Sequence, residues 1–413
     1  MKMLPMNRLL VLAWCFFGLN WMSAAAPASA TPAPVLMISM DGFRWDYCSL
    51  YPAETPHLRQ LMREGISAQA LIPVFPSQTF ASHYSMATGL YPAHHGIIGN
   101  RFFDPSLGVF FHYKLPNALH DSRLWGGEPI WITAVKQGKP SACYFWPGSE
   151  VFGPVRPTFS IPYDYSIPFE RRLEQLVGWL QLPEGERPVV ITFYFEETNS
   201  SGHYNGPASP ETRAVIKRLD EQVGRIVTRL ATAQIPVNLV VVSDHGMAPT
   251  DGKAQTAMLD DYLDIEKVQV DFDGPVAGLR PLDMSIDDIV ERLSGLSSHY
   301  RVYRAEDLPA RWHMADNPRI PPVWIVPDAG WRIQRRSNFL LARDERLKGE
   351  HGYDNADTLM HGILIARGPA FRDGGAVVEA VENVHLYNLL CAVAHLAPAP
   401  NDGDNRLVRS FLK

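Results

Sequence analysis

Three apolar runs of this 413-residue chain end in side chains that can hold a cation. Leu239 to Val242 stops at Ser243, Asp244, His245 and Gly246. Val35 to Met40 stops at Asp41 and Gly42, and Pro188 to Phe195 runs into a polar stretch with Glu197, Asn199 and His203. Charge placed where a buried strand leaves the core is unfavourable unless something pairs with it. A metal ion is a natural partner, and Asp and His are ordinary zinc ligands. Asn199 and His203 are four apart with Gly202 between them, so a bend of the backbone would bring both inward. His351 lies between Gly349 and Gly352 in a turn. Thr79 adds a hydroxyl, and a hydroxyl on a metal loses its proton more easily and becomes a nucleophile. Two-metal sites hold their ions about 3.5–4 Å apart and clamp both oxygens of a displacement. Taken singly, an Asp also caps turns and a Thr caps helices. The joint placement at strand ends and glycine turns is what points to metal-dependent chemistry.

The chain between these residues must bring them together. Short, unbroken, β-branched runs suit strands buried on both faces of a parallel sheet. In open α/β sheets, ligands bind beyond the carboxyl ends of the strands. Asp41 and Asp244 would then face one crevice. The fold class expected is α/β, a mostly parallel central sheet flanked by helices. Leu58, Leu61 and Met62 fall at helical spacing before Gly65, a plausible C-cap. A helix is expected from Thr79 to Gly89, with Thr79 at or near its N-terminus. Free N–H groups and the positive dipole end there suit an anionic phosphate. His94 and His95 sit in a glycine-rich turn, where packing is the simpler role. Leu124 to Pro168 is rich in aromatic residues, Pro and Gly, with few regular elements expected; long aromatic loops often wall pockets. Further helices are expected at Phe169–Leu180, Glu211–Leu230, Ser285–Leu293 and His385–His395, and a last strand at Gly362–Ala366. Residues 251–341 read as a small α+β excursion leaning over the site.

Composition excludes some functions. The formal net charge is −6 and no basic block occurs, so nucleic-acid coating is not expected. Lys2 and Arg8, an apolar run from Leu9 to Trp21, and small residues from Ala24 to Ala30 read as a signal peptide over 1–30. The run is short for a membrane span of about 20 residues, so an exported protein, periplasmic or extracellular, is expected. No other segment has the length and apolarity of a span. Cys48, Cys143 and Cys391 remain in the mature chain; they form no disulfide framework, and one pairing stays open. The sequence sets no oligomeric state.

Taken in order, the motifs resemble the nucleotide pyrophosphatase/phosphodiesterase family of the alkaline phosphatase superfamily. The matching pieces are Asp41 to Arg44, Thr55 to Leu58 with Gly65, Phe75 to Phe80, Thr88 to Asn100, Phe145 to Ser149, Gly202-His203, Ser243 to Met247 and His351 to Asn355. They span almost all of residues 31–413, for which the resemblance implies an alkaline-phosphatase-like core. It also implies two zinc ions. Asp41, Asp244 and His245 would hold one, with Thr79 as the nucleophile on it; His203, His351 and the residue at 199 would hold the other. Asn100 would donate to a phosphate oxygen, and Phe80 and Tyr163 match the aromatic pair that sandwiches a nucleobase. Thr79 would attack phosphorus of a small phosphodiester or nucleotide and expel the first alcohol or phosphate, and water would then hydrolyse the threonine-bound intermediate.

One departure bears on the metals. Family members usually carry Asp where this chain has Asn199, and Asn offers only a neutral oxygen. Weaker retention of that zinc follows, Glu197 is a nearby substitute, and an Asn199→Asp change is expected to raise occupancy or turnover. A sulfatase is disfavoured, because no Cys-x-Pro-x-Arg type motif is present. A phospholipid-headgroup diesterase, a phosphomonoesterase and a weakly active relic remain as alternatives on the same core.

Overall fold

The computed structural model describes residues 32–151, 153–341 and 346–413. The expected signal peptide lies outside the described residues. The main sheet has eight strands, in the order Ala376–Val378, Ile66–Ala68, Leu364–Arg367, Asn238–Val242, Val35–Met40, Val190–Phe195, Ser141–Tyr144 and Phe159–Ile161. Only Leu364–Arg367 runs antiparallel to its neighbours; the other pairs are parallel. All residues of the three central strands are buried, which is why their sequences are largely apolar rather than alternating.

Register does the rest. Met40 pairs with Phe195 and Ser39 with Val242. Continuing the same register by one or two residues sets Glu196, Asp41 and Asp244 side by side at the carboxyl ends. Three polar termini therefore open onto one crevice.

Helices flank the sheet. Pro210–Thr232 starts with Pro after Ser209, whose side chain accepts from Thr212 N–H, and buries Ile216, Leu219, Val223, Ile226 and Leu230. It packs against Pro56–Glu64. Between the two, Asp220 is fully buried and accepts from His57 N–H at 3.1 Å and Leu58 N–H at 2.7 Å. The helix at Phe169–Leu180 has the expected bounds. Gly65 does cap its helix, through its N–H to Leu61 O, but with φ −114° rather than a left-handed backbone. Glycine is required there because a Cβ would stand 2.1 Å from Ala366 O.

Several expectations are corrected. Leu124–Pro168 carries the helix Ile130–Lys136 and two strands of the main sheet; these elements have only three to seven residues, too few to show a period. No bend separates Asn199 from His203: both lie on the helix Glu197–Asn205, where a spacing of four puts them on one face. Leu364–Arg367 is followed by two more short strands, and Arg406–Phe411 forms a helix after Leu386–Val393. Cys48, Cys143 and Cys391 are buried free thiols.

Within residues 251–341, four antiparallel strands run in the order Val268–Phe272, Ala277–Pro281, Val323–Pro327 and Tyr300–Arg304. The helix Ile286–Leu293, capped by the Ser285 hydroxyl, packs on them. Leu259, Val270, Leu279, Ile289 and Ile325 belong to their separate apolar cluster.

Candidate metal centre

The helix Thr79–Thr88 follows Gln78 in extended backbone and ends at Gly89 with φ +70°. Thr79 is its first residue, and its Oγ1 lies 3.3 Å from His245 Nε2. That nitrogen is 3.1 Å from Asp244 Oδ2 and 3.4 Å from Asp41 Oδ1. The other two carboxylate oxygens are occupied: Asp244 Oδ1 accepts from Gly42 N–H at 3.1 Å, and the Tyr194 hydroxyl donates to Asp41 Oδ2 at 2.5 Å. Asp41 Oδ1 and Asp244 Oδ2 are buried without a hydrogen-bond partner. Two orphaned carboxylate oxygens beside an imidazole are a donor set suited to a cation. The His245 Nδ1 proton goes to Gly246 O at 2.8 Å, which leaves Nε2 to face the carboxylates.

His83 fastens the Thr79 helix to this set. Its Nδ1 donates to Thr79 O at 2.8 Å and lies 3.3 Å from Asp244 Oδ2, while the Ser39 hydroxyl meets its Nε2 at 2.8 Å. Sequence reasoning missed His83 and Tyr194; the i+4 spacing of His83 from Thr79 was the available signal.

The second set adjoins the first. The His351 ring stacks on that of His245 with centroids 3.6 Å apart, and His203 lies 5.0 Å from His351. His351 Nδ1 donates to Ser77 O at 3.0 Å and His203 Nδ1 to Gly349 O at 2.9 Å, so each ring keeps Nε2 for a ligand. Asn199 Oδ1 is enclosed and has no hydrogen-bond partner. The carboxylate grouped with His203 and His351 is Glu350, which sequence reasoning did not single out. Glu197, the expected substitute, has its Oε1 3.8 Å from Arg172 Nη1 instead. Two residues from Asn199 on a helix is the far side of the turn.

The electrostatics follow the packing. Burial, then the neighbouring Asp244, push the Asp41 carboxyl up to about 7. Burial opposes charge on Asp244 as well, but His245 and His83 outweigh it and hold that carboxyl well below its usual range. For His245, burial is outweighed by Asp244 and Asp41, and the imidazole is pushed up to about 9. Burial, reinforced by His245 and His203, holds His351 far below the usual imidazole range, so its Nε2 lone pair is free.

The remaining expected residues border the centre. Asn100 Oδ1 accepts from Phe80 N–H at 2.9 Å, which turns its amide nitrogen outward as a donor. Phe80 packs with Tyr113, Phe111 and Trp125. Tyr163 belongs to a different aromatic group, with Phe145 and with Tyr194, the partner of Asp41. A cavity of about 420 Å³ opens beside Asn100, His203, Glu350 and His351, with Asp273 and Pro275 of the small excursion in its wall.

A family model described as type I phosphodiesterase / nucleotide pyrophosphatase matches residues 35–354. Human ectonucleotide pyrophosphatase/phosphodiesterase family member 5 is 37% identical over 383 residues, covering 92% of this chain and 78% of its own length. An uncharacterized pyrophosphatase/phosphodiesterase of Schizosaccharomyces pombe is 36% identical over 382 residues, 89% of this chain and 78% of its own length. The chain spans about half of the venom phosphodiesterase of Macrovipera lebetinus, 46% of its length at 35% identity. Among solved structures, murine ectonucleotide pyrophosphatase/phosphodiesterase 5 superposes with a TM-score of 0.86 at 36% identity, over 92% of this chain and all of that one. The same murine protein, as an inactive threonine-to-alanine variant in complex with AMP, superposes with a TM-score of 0.85. The matched span runs from the strand that delivers Asp41 to the turn that carries His351, and the chain belongs to the type I phosphodiesterase / nucleotide pyrophosphatase family.

Proposed function

We propose that this chain is an exported phosphodiesterase and nucleotide pyrophosphatase that works with two zinc ions and Thr79 as nucleophile. The observation that carries the reading is Thr79 Oγ1 at 3.3 Å from His245 Nε2, beside two buried carboxylate oxygens that have no partner. Asp41, Asp244 and His245 would hold one ion, and His203, His351 and Asn199 Oδ1 would face the other. Mixed imidazole and carboxylate donors suit zinc. When bound, the ions neutralise charge on the transferring phosphoryl group and favour the ionised Thr79 hydroxyl.

The chain's own residues do the rest. The Thr79 helix points its first N–H groups at the position of an anionic phosphate. Asn100, anchored by Phe80 N–H, donates from its amide to a phosphate oxygen. His83 holds Thr79 O and so fixes the direction of the nucleophile. Phe80 and Tyr163 offer aromatic faces to a nucleobase, a reading supported by the AMP complex of the murine relative. Export is supported by relatives named as ectonucleotide and venom enzymes. Among the described residues no helix is long and apolar enough to cross a membrane.

The test is side-by-side turnover of an aryl phosphodiester, a nucleoside triphosphate and an aryl phosphomonoester, with metal analysis of the same sample. Faster turnover of the diester and the triphosphate, with two zinc ions per chain, is expected. A preference for the monoester would overturn the substrate assignment.

A further inference from the structure

The cavity of about 420 Å³ lies to one side of the metal centre. Among the described residues, His203 and His351 line it, and Asp41, Thr79, Asp244 and His245 do not. Phe80 and Tyr163 lie outside it as well. In phosphoryl transfer the attacking and leaving oxygens stand roughly in line, on opposite sides of phosphorus. With Thr79 on the first donor set, the cavity beside the second is the side by which a group departs. The carboxylates of its wall are already engaged. Asp273 Oδ2 accepts from Arg335 N–H at 3.0 Å and from Arg335 Nε at 3.1 Å, and Glu350 accepts from Arg332 Nε and His351 N–H, each at 3.1 Å.

Donors of the same wall are not engaged. Gln78 Oε1 accepts from Asn100 N–H at 2.7 Å, which turns Nε2 the other way. A Cβ on Gly352 would stand 3.2 Å from that Nε2, so the amide nitrogen sits beside the turn that follows His351. Arg101 follows Asn100 and pairs across its hairpin with His112. Phe102 and Asp104 are buried on one face of the strand, and Arg101 belongs to the other. Its guanidinium carbon lies 5.4 Å from the centroid of the Phe110 ring. Among the described residues, neither this guanidinium nor Gln78 Nε2 has a hydrogen bond or an ion pair. Burial first, then the nearby Arg335, disfavour the Arg101 charge more than Asp273 and Asp271 support it. His112 Nδ1 accepts from Lys114 N–H at 3.0 Å, so in the neutral ring the proton sits on Nε2 as a third donor.

We propose that Gln78 and Arg101 form an anion subsite for the departing group, so that a leaving group carrying phosphate is selected over one without it. This rests on the reading of Thr79 as nucleophile above. With a nucleoside triphosphate, Thr79 loses its proton to water and its oxygen bonds to the α-phosphorus. The bond from that phosphorus to the bridging oxygen breaks, and the electron pair leaves with the diphosphate. Gln78 Nε2–H, beside the turn after His351, meets the phosphate next to the broken bond. Arg101 and His112 on the hairpin meet the phosphate beyond it, where a guanidinium bonds more strongly than a neutral donor.

The experiment compares kcat/KM for a nucleoside triphosphate with that for an aryl ester of the same nucleoside monophosphate, on the full chain with zinc supplied. Both substrates transfer the same nucleotidyl group to Thr79 and differ only in what departs. In Arg101→Met the ratio of triphosphate to aryl ester is expected to fall at least about tenfold. Gln78→Glu keeps an acceptor for Asn100 N–H and replaces the donor by a carboxylate. Its ratio is expected to fall by about tenfold as well, and it stays informative if Arg101→Met does not fold. A merely structural role, through Asn100 or the hairpin, slows both substrates together and leaves the ratio in place. An unchanged ratio in either folded variant therefore overturns the subsite and leaves the function standing. A wild-type chain that turns over neither substrate overturns the proposed function itself, and the subsite with it.

Discussion

Thr79 Oγ1 and His245 Nε2 lie 3.3 Å apart although 166 residues separate them in the chain. The contact joins the start of a helix to the turn just after a core strand, and His83 secures that helix from behind through its Nδ1 bond to Thr79 O. The hydroxyl is therefore held by the scaffold and does not depend on a mobile loop.

Thr79→Ala removes the hydroxyl while keeping the helix start. Turnover of a diester is expected to fall on the order of 10³-fold or more, with AMP binding and zinc content retained. Thr79→Ser keeps a hydroxyl in reach and is expected to retain more turnover than the alanine variant. Equal rates for Thr79→Ala and wild type would remove Thr79 from the chemistry.

Metal uptake should depend on pH with a definite sign. In the metal-free centre Asp41 is pushed up to about 7 by burial and Asp244, and His245 up to about 9 because Asp244 and Asp41 outweigh burial. Protons therefore occupy the donors near neutrality, and cations need them removed. Zinc binding should release protons and should weaken as pH falls from about 8 to about 6. Calorimetry in two buffers of different ionisation enthalpy reads the release directly; uptake without it would contradict this electrostatic picture.

Which parts of the centre were legible in the sequence follows from how each residue is positioned. Asp41 and Asp244 stood out because a fully buried strand carries no charge along its length, so the first charge marks the sheet's edge. Thr79 stood out because a proline-containing loop and Gly89 bracket its helix. Glu350 did not, since its strand has two residues and it is the packing of Gly349 on Gly202 that brings it beside His203. Glu197 looked the better substitute by proximity, but helical geometry turns it to Arg172. The strand Ser141–Tyr144 escaped because four residues between loops show no period.

Asp220→Ala tests the scaffold apart from the centre. The carboxylate accepts two N–H groups at the start of Pro56–Glu64 from inside the long helix Pro210–Thr232. Its loss leaves those donors unpaired at a buried site, a cost of about 1–3 kcal/mol. The melting temperature should drop, with zinc stoichiometry unchanged. Unaltered melting would mean that water replaces the carboxylate at no cost.

His95 should make the fold acid-sensitive. It is fully buried; its Nδ1 accepts from Ile97 N–H at 3.1 Å, so its Nε2 proton goes to the Ser85 hydroxyl at 2.9 Å. A second proton would set a donor against the Ile97 donor. Burial chiefly, with the adjacent His94 and Arg319, pushes the imidazole from 6.5 down to about 3, although its backbone hydrogen bonds pull the other way. Below pH 6.5 the unfolded chain therefore binds more protons at this residue than the folded one, and stability falls as pH falls from 6.5 towards 3. Between about pH 7 and pH 5 the loss is about 2 kcal/mol. His95→Gln keeps a polar side chain that can both accept and donate, and it does not titrate. Its urea unfolding should show a smaller difference between the two pH values than that of wild type. An identical difference in both proteins would place the acid sensitivity elsewhere.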